Sequence, residues 1–190
     1  MNSTHNLLYH SIKDLHKTLD HHPVLFPLIS GPISKQDYLH AMALLQRCFM
    51  LTEPALAQYE SSSEVPLLDK YIPKAVSIDY EVNKSGPWHA VQSEGSKPFG
   101  INSVGEYLGI RYVLEGSAQG GRFIKANLLK VFPEFNSPFW ELQTETARKW
   151  PELLNSLSQL DDDNNEQKRA IDAARSTFNL FINEFDKDYK

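Results

Sequence analysis

Apolar residues recur at the period of an α-helix along nearly the whole chain, and the alternation typical of strands is missing. The first apolar stripe, for example, contains Leu8, Ile12, Leu15 and Leu19. A chain of 190 residues is long enough to bury one core of its own. The sequence therefore predicts an all-α protein of seven or eight helices, folded as a single domain over residues 1–190.

Local signals predict several element boundaries. Ser34 followed by Asp37 is typical of a helix start, and Ser137 before Pro138 gives a second such signal. The other predicted elements are helices over 67–82 and 104–131, and a loop rich in Gly, Pro and Ser over 84–100.

Charge and composition exclude several classes of protein. The net charge is −5 and no basic run is present, which argues against nucleic-acid binding. The sequence contains no run of about 20 apolar residues, so no membrane span is predicted. The sole cysteine, Cys48, cannot form an internal disulfide, and the N-terminal residues lack an apolar leader. We therefore expect a soluble cytoplasmic protein.

Three glycines interrupt an otherwise strong helical pattern in YVLEGSAQGG, residues 112–121. Each costs a helix interior about 1 kcal/mol relative to alanine. Gly116 and Gly120 share one helix face, where a bare backbone could approach a large flat ligand. Two other interpretations remain open: a close crossing with another helix, or a helix that ends at Gly116 and restarts at Ser117.

His16 stands out among the seven histidines. It borders the first apolar stripe, so its ring should point to the edge of the core. Asp20, one turn later, can bind one ring nitrogen and leave the other for a metal. A half-buried histidine satisfied by its aspartate fits the pattern too. Neither an HExxH nor a CxxC motif is present, so no zinc site is expected.

Three segments together resemble the heme oxygenase family, particularly its bacterial, phytochrome-associated branch. YVLEGSAQGG resembles the distal-helix signature of that branch, and LHKTLDHHP at residues 15–23 resembles its proximal-histidine segment. AARSTFNLF at residues 173–181 is similar to the closing segment of the family. The order and separation of the three segments agree as well.

The resemblance implies a fold in which heme lies between a proximal helix and a kinked distal helix. His16 would be the axial ligand to the iron, with Asp20 as its hydrogen-bond partner. Gly116, Gly120 and Gly121 would lie in the distal helix, over the porphyrin.

Four further residues are candidate heme contacts. Arg175 occupies the place of a basic residue that contacts a propionate in relatives, and Arg111 falls near a tyrosine position of animal relatives. Tyr9 and Lys13 precede His16 by two turns and one turn on the same helix face.

The chain also departs from the family pattern. Ser117 stands where animal relatives carry an aspartate that organises water; its hydroxyl can order water but is not acidic. Gln119 and Glu115 are possible substitutes. Ile12 replaces the threonine found upstream of the histidine in many relatives.

The expected activity is oxygen-dependent cleavage of heme to biliverdin, carbon monoxide and ferrous iron. No flavin or nicotinamide fingerprint is present, so electrons would come from a ferredoxin, a flavodoxin or a reductase. The branch also implies a bilin-accepting phytochrome as a partner. One alternative is a non-enzymatic heme carrier or sensor, which Ser117 would suit. Another is a thiaminase-like enzyme, which would need a catalytic cysteine at Cys48.

Overall fold

The computed structural model describes residues 3–63, 68–84 and 100–189, and every regular element in these ranges is helical. The elements are α1 (Thr4–Asp20), α2 (Phe26–Ser30), α3 (Lys35–Ser62), α4 (Ala75–Lys84), α5 (Val104–Val131), α6 (Pro138–Thr146), a short 3-10 helix (Ala147–Lys149), α7 (Trp150–Ser158) and α8 (Asn164–Asp188). The all-α prediction is confirmed. None of the helices in the described ranges is both long and apolar enough to cross a bilayer.

Helix α8 is the centre of the packing, with α1, α3 and α5 laid against it. The contact with α5 is close because two glycines of α5 face α8. A Cβ at Gly105 would lie 2.3 Å from the carbonyl oxygen of Glu166, and one at Gly109 would lie 2.1 Å from that of Ala170. Only residues without a side chain allow the two backbones to approach this closely.

Helices α1 and α5 both run in the same direction as α8. On α1, Gln167 of α8 donates to the Thr4 hydroxyl at 3.1 Å, and the His16 ring lies 5.7 Å from the ring of Phe178. Residue numbers thus rise together along α1 and α8, as they do along α5 and α8. Helices α1 and α5 are thus both parallel to α8.

Several predicted boundaries are confirmed. The Ser34 hydroxyl accepts from the backbone N–H of Asp37 at 3.1 Å, and that of Ser137 accepts from Trp140 at 3.2 Å. The helix predicted over 104–131 is α5.

One predicted helix start is wrong, and one short helix was not predicted. The helix expected over 67–82 begins only at Ala75, because Pro73 disfavours the helical conformation of the residue before it. The five-residue helix α2 was not predicted at all, since five residues are too few to show a period. The predicted loop over 84–100 lies almost wholly outside the described residues.

Candidate functional site

The backbone of α5 passes through its three central glycines without a break, which excludes the alternative of a helix that ends at Gly116 and restarts at Ser117. The three positions have different surroundings. A Cβ at Gly116 would lie 3.4 Å from the Trp150 ring, and one at Gly121 would lie 2.9 Å from the Gln143 side chain. A Cβ at Gly120 would meet nothing within 4 Å. Gly121 therefore allows α5 to pack closely against α6, whereas the side of α5 at Gly120 is open.

The open face of α5 and the His16 side chain of α1 lie at the same level along the axis of α8. Gly109 contacts Ala170, and continuing that register along the two parallel helices brings Ser117 level with Phe178. Phe178 in turn contacts the His16 ring. The histidine of α1 and the glycine segment of α5 therefore stand side by side above α8.

Contacts at both ends define the space between these helices, which we call the α1–α5 cleft. At one end the rings of His5 and Tyr112 lie 5.8 Å apart. At the other end Asn127 of α5 donates to the Leu28 carbonyl of α2 at 3.2 Å. Along α5, these two contacts are roughly four turns of helix apart.

His16 is exposed on the wall of this cleft rather than at the edge of the core, with 56% of its side chain accessible. Its Nδ1 lies 2.8 Å from Asp20 Oδ2. This hydrogen bond raises the pKa of His16 above its ordinary value of 6.5, against an opposing effect of partial burial. Because Nδ1 is bound to the carboxylate, Nε2 is the ring nitrogen left to bind a ligand.

Exposed apolar groups stand on both walls. Tyr9 precedes His16 by seven residues and Phe123 follows Gly116 by seven, so each shares a helix face with its partner. Tyr9 is 55% exposed and Phe123 is 67% exposed. Lys13, also exposed, lies on the same side of α1 as His16.

Arg175 lies beside α1, but its position does not point to the cleft. Its guanidinium donates to the carbonyl oxygen of Ser11 at 3.0 Å. Ser11 is five residues before His16, which places it roughly 140° around the helix. Arg175 therefore stands on the other flank of α1.

Arg111 is likewise directed away from the glycine face. It precedes Gly116 by five residues and is buried in a polar cluster with α3 and the segment before α4. Its Nε donates to Glu115 Oε1 at 2.6 Å and its Nη1 donates to the carbonyl oxygen of Asp69 at 2.7 Å. The structure thus does not bring Arg111 to the cleft.

The polar residues around the glycines have defined partners. The Ser117 hydroxyl lies 2.7 Å from the Leu114 carbonyl oxygen and is exposed. Gln119 donates to the carbonyl oxygen of Ala147 at 3.1 Å, and Glu115 is bound to the guanidinium described above. Of these three residues, Ser117 has the weakest contact to another helix, a hydrogen bond that its Oγ accepts from Gln143 of α6 at 3.4 Å.

No cluster of three or more histidine, cysteine, aspartate or glutamate side chains within residues 3–63, 68–84 and 100–189 is arranged to hold a metal ion. The geometry instead offers one imidazole nitrogen on one wall of a cleft and a bare backbone on the other.

Sequence reasoning missed two features of this region. Gly105 and Gly109 have the same i, i+4 spacing as Gly116 and Gly120, and that spacing could have marked them as a helix contact. Lys74, which reaches the Leu114 carbonyl from the segment before α4, carries no signal in the sequence.

No protein-family model and no curated protein sequence matches the chain. Solved structures do match over its whole length. A heme oxygenase from Neisseria meningitidis, described with NO and CO bound, is 16% identical, with a TM-score of 0.71 over 100% of this chain and 93% of that one. A heme oxygenase from Leptospira interrogans is 14% identical, with a TM-score of 0.73 over 98% of this chain and 100% of the other.

The chain has the heme oxygenase fold. A third structure agrees, that of heme oxygenase-1 from the cyanobacterium Synechocystis in complex with heme. It is 14% identical, with a TM-score of 0.70 over 98% of this chain and 92% of that one. At 14–16% identity, the likeness to these three structures concerns the fold.

Proposed function

We propose that the protein is a heme oxygenase that binds heme in the α1–α5 cleft and cleaves it to biliverdin, carbon monoxide and ferrous iron. The observation that carries the proposal is the pairing of His16 with the open face at Gly120, on a fold shared with heme oxygenases. When bound, heme would supply the iron that activates oxygen and the porphyrin that is cleaved.

His16 would hold the iron through Nε2. Asp20 accepts the proton of Nδ1 at 2.8 Å, which fixes the tautomer with a lone pair on Nε2 and increases the basicity of the ring. The half-exposed imidazole stands on the cleft wall and needs no rearrangement of the core to reach a ligand.

Gly120 would leave the backbone of α5 bare on the side where heme would be held. A Cβ at this position meets no atom within 4 Å, so the space there is open and not filled by a neighbouring helix. Gly116 and Gly121 keep α5 in place, the first against Trp150 and the second against Gln143.

Apolar and cationic groups around the cleft suit a porphyrin. Its faces would cover Tyr9 and Phe123, which are otherwise exposed to water. Its propionates need cationic or hydrogen-bonding partners, and Lys13 and the Tyr9 hydroxyl are available on the His16 side of α1. Arg175 and Arg111, by their positions, are weaker candidates for this role.

Ser117 would order water in the cleft with its hydroxyl. Electrons would come from a separate redox protein such as a ferredoxin, a flavodoxin or a reductase. A bilin-accepting phytochrome is suggested only by the resemblance of the sequence to the bacterial branch.

The second candidate function is heme carriage or sensing without turnover. Ser117 favours it, because a hydroxyl is a far weaker acid than the carboxyl group that animal relatives have at this position. A thiaminase-like activity finds no support at Cys48. Its thiol is fully buried, and burial raises its pKa far above the ordinary value, so it is not available as a nucleophile.

The test is an absorption time course of the heme-loaded protein with a reductant and oxygen, in the presence of catalase to remove free peroxide. A heme spectrum that is replaced by that of a bilin, with release of carbon monoxide, supports a heme oxygenase. Heme that binds and persists through repeated reduction supports a carrier or sensor. A protein that binds no heme contradicts both.

A further inference from the structure

Lys74 places a buried cation behind the glycine segment of α5. The side chain is fully buried, its Nζ donates to the carbonyl oxygen of Leu114, and it lies 5.7 Å from the centre of the Phe49 ring. Leu114 precedes Gly116 by two residues. A lysine ammonium is rarely removed from water without a specific contact, and here that contact is to the backbone beside the candidate site.

The same carbonyl oxygen holds the Ser117 hydroxyl, at 2.7 Å. As part of α5 it also accepts the helical hydrogen bond from the N–H four residues later. Three donors thus converge on an oxygen with two lone pairs. The charged donor, Lys74, forms the strongest of these bonds, so the neutral hydroxyl of Ser117 is the donor most easily released.

Little else fixes the direction of the Ser117 hydroxyl. Gln143 approaches Ser117 Oγ only at 3.4 Å, the outer limit of a hydrogen bond. Ser117 is exposed, next to the open face at Gly120. Its proton can therefore turn from the Leu114 carbonyl to an acceptor in the cleft.

The surroundings of Lys74 allow it to carry a charge near neutral pH. Glu115 and Glu53 face it and favour the ammonium form, whereas burial and Arg111 oppose that form and lower the pKa of Lys74 to about 8. A cavity of about 10 Å³ touches Lys74, Glu115 and Thr146, enough space for roughly one water molecule.

We propose that Lys74 is a positioning residue for the site: by occupying the Leu114 carbonyl, it releases the Ser117 hydroxyl to donate a hydrogen bond to an oxygen or anion bound in the α1–α5 cleft. The inference rests on the proposed function. It assigns to a lysine and a serine together part of the role that an aspartate has in animal heme oxygenases.

Fluoride binding to the ferric, heme-loaded protein tests this inference, because fluoride accepts hydrogen bonds but cannot donate them. At pH 6.5, we expect Lys74→Met and Ser117→Ala each to weaken fluoride binding by about fivefold or more, the effect of one net hydrogen bond. The double variant should be no weaker than the weaker single variant, because both changes remove the same bond. Lys70→Met, an exposed lysine at the same cavity, should match the wild type.

Unchanged fluoride binding in K74M that still binds heme overturns the inference and leaves the proposed function standing. Additive effects in the double variant overturn the action of Lys74 through Ser117. If K74M does not fold, S117A decides alone, since its exposed position does not endanger folding: wild-type fluoride affinity in S117A overturns the inference. A wild-type protein that binds no heme overturns the proposed function, and the inference with it.

Discussion

Gly109 and Gly120 lie on the same face of α5, three turns apart, yet one is pressed against α8 and the other faces open space. A Cβ at Gly109 would lie 2.1 Å from the Ala170 carbonyl oxygen, whereas one at Gly120 would meet nothing within 4 Å. The glycines of one helix face thus have two different surroundings, close packing against α8 at one end and open space further along.

This difference predicts that replacing glycine by alanine has opposite effects on the free energy of unfolding at the two positions. Gly109→Ala should lower the free energy of unfolding by about 1–3 kcal/mol or more, because α5 and α8 must separate to admit the methyl group. Gly120→Ala should raise that of the heme-free protein by roughly 0.5–1 kcal/mol, because alanine is the better helix former. Urea denaturation of both variants measures this. A destabilised G120A would mean that its face is packed in the folded protein.

The open position at Gly120 should instead be sensitive once heme is bound. We expect Gly120→Leu to bind heme but to slow its oxidation or to change the bilin isomer, since the side chain would crowd the oxygen site. Chromatography of the bilin products against the wild type checks this. Wild-type turnover and isomer in G120L would show that this glycine does not cover the iron.

His16→Ala should still take up heme, though more weakly, because most of the binding free energy comes from burial of the apolar porphyrin faces. The iron spectrum should change and bilin formation should stop, since the imidazole ligand is lost. Added imidazole should partly restore the spectrum by filling the vacated space. A wild-type spectrum and turnover in H16A would make another histidine the ligand, with His22 or His21 as the next candidates.

The hydrogen bond between His16 and Asp20 predicts a pH dependence. It raises the pKa of His16 above 6.5, so the protonated form persists to higher pH than in a free histidine. Its contribution to stability is complete below pH 6.5 and is lost as the pH rises through the raised pKa. A coordinating histidine must be neutral, so protonation of His16 competes with heme ligation, and the affinity for heme should fall as the pH decreases below this raised pKa.

Asp20→Asn tests this relationship in the heme-free protein. The His16 titration midpoint, followed by NMR, should fall towards 6.5 in the variant, because an amide does not stabilise the imidazolium. The pH below which the affinity for heme falls should decrease together with this midpoint. Identical midpoints in D20N and the wild type would contradict the assigned hydrogen bond.

The sequence was sufficient to predict the helices that carry the site, because α1, α5 and α8 are long enough to show an unmistakable apolar period and have serine or aspartate caps. It also identified the His16–Asp20 pair, since i, i+4 spacing fixes the contact within one helix. Contacts between helices were not predictable in the same way. Whether Gly120 or Gly121 faces a cleft depends on where α6 lies, and Lys74 reaches Leu114 only because α3, α4 and α5 pack together.

Variants of Lys13 and Arg175 test on which side of α1 the heme propionates would lie. Lys13 shares a flank of α1 with His16, whereas Arg175 is bound to Ser11 on the other flank. Lys13→Met should therefore raise the Kd for heme by up to about fivefold, the effect of one exposed ion pair of roughly 0.2–1 kcal/mol. Arg175→Met should have no such effect. Heme titration of both variants checks this, and the reverse order would place the propionates on the Arg175 flank.

The buried Lys74 should make the free energy of unfolding of the heme-free protein depend on pH. Burial lowers its pKa from the ordinary 10.5 to about 8 in the folded protein, whereas the unfolded chain keeps the ordinary value. Between these pH values the unfolded state binds more protons, so the free energy of unfolding rises with pH. The cost of burying the ammonium is therefore fully present below about pH 8 and is relieved as the pH approaches 10.5, by about 3 kcal/mol in total.

The comparison of wild type with Lys74→Met isolates this contribution. Tyr71 and Tyr107, whose raised pKa values oppose ionisation in the same cluster, are common to both proteins and cancel in the difference. We expect the wild type to gain stability relative to K74M between pH 8 and 10.5 and the difference to be constant between pH 6 and 7. Lys70→Met should follow the wild type throughout. A difference between wild type and K74M that does not change with pH would show that Lys74 keeps an ordinary pKa, and that the ammonium is not confined as its contact with the Leu114 carbonyl implies.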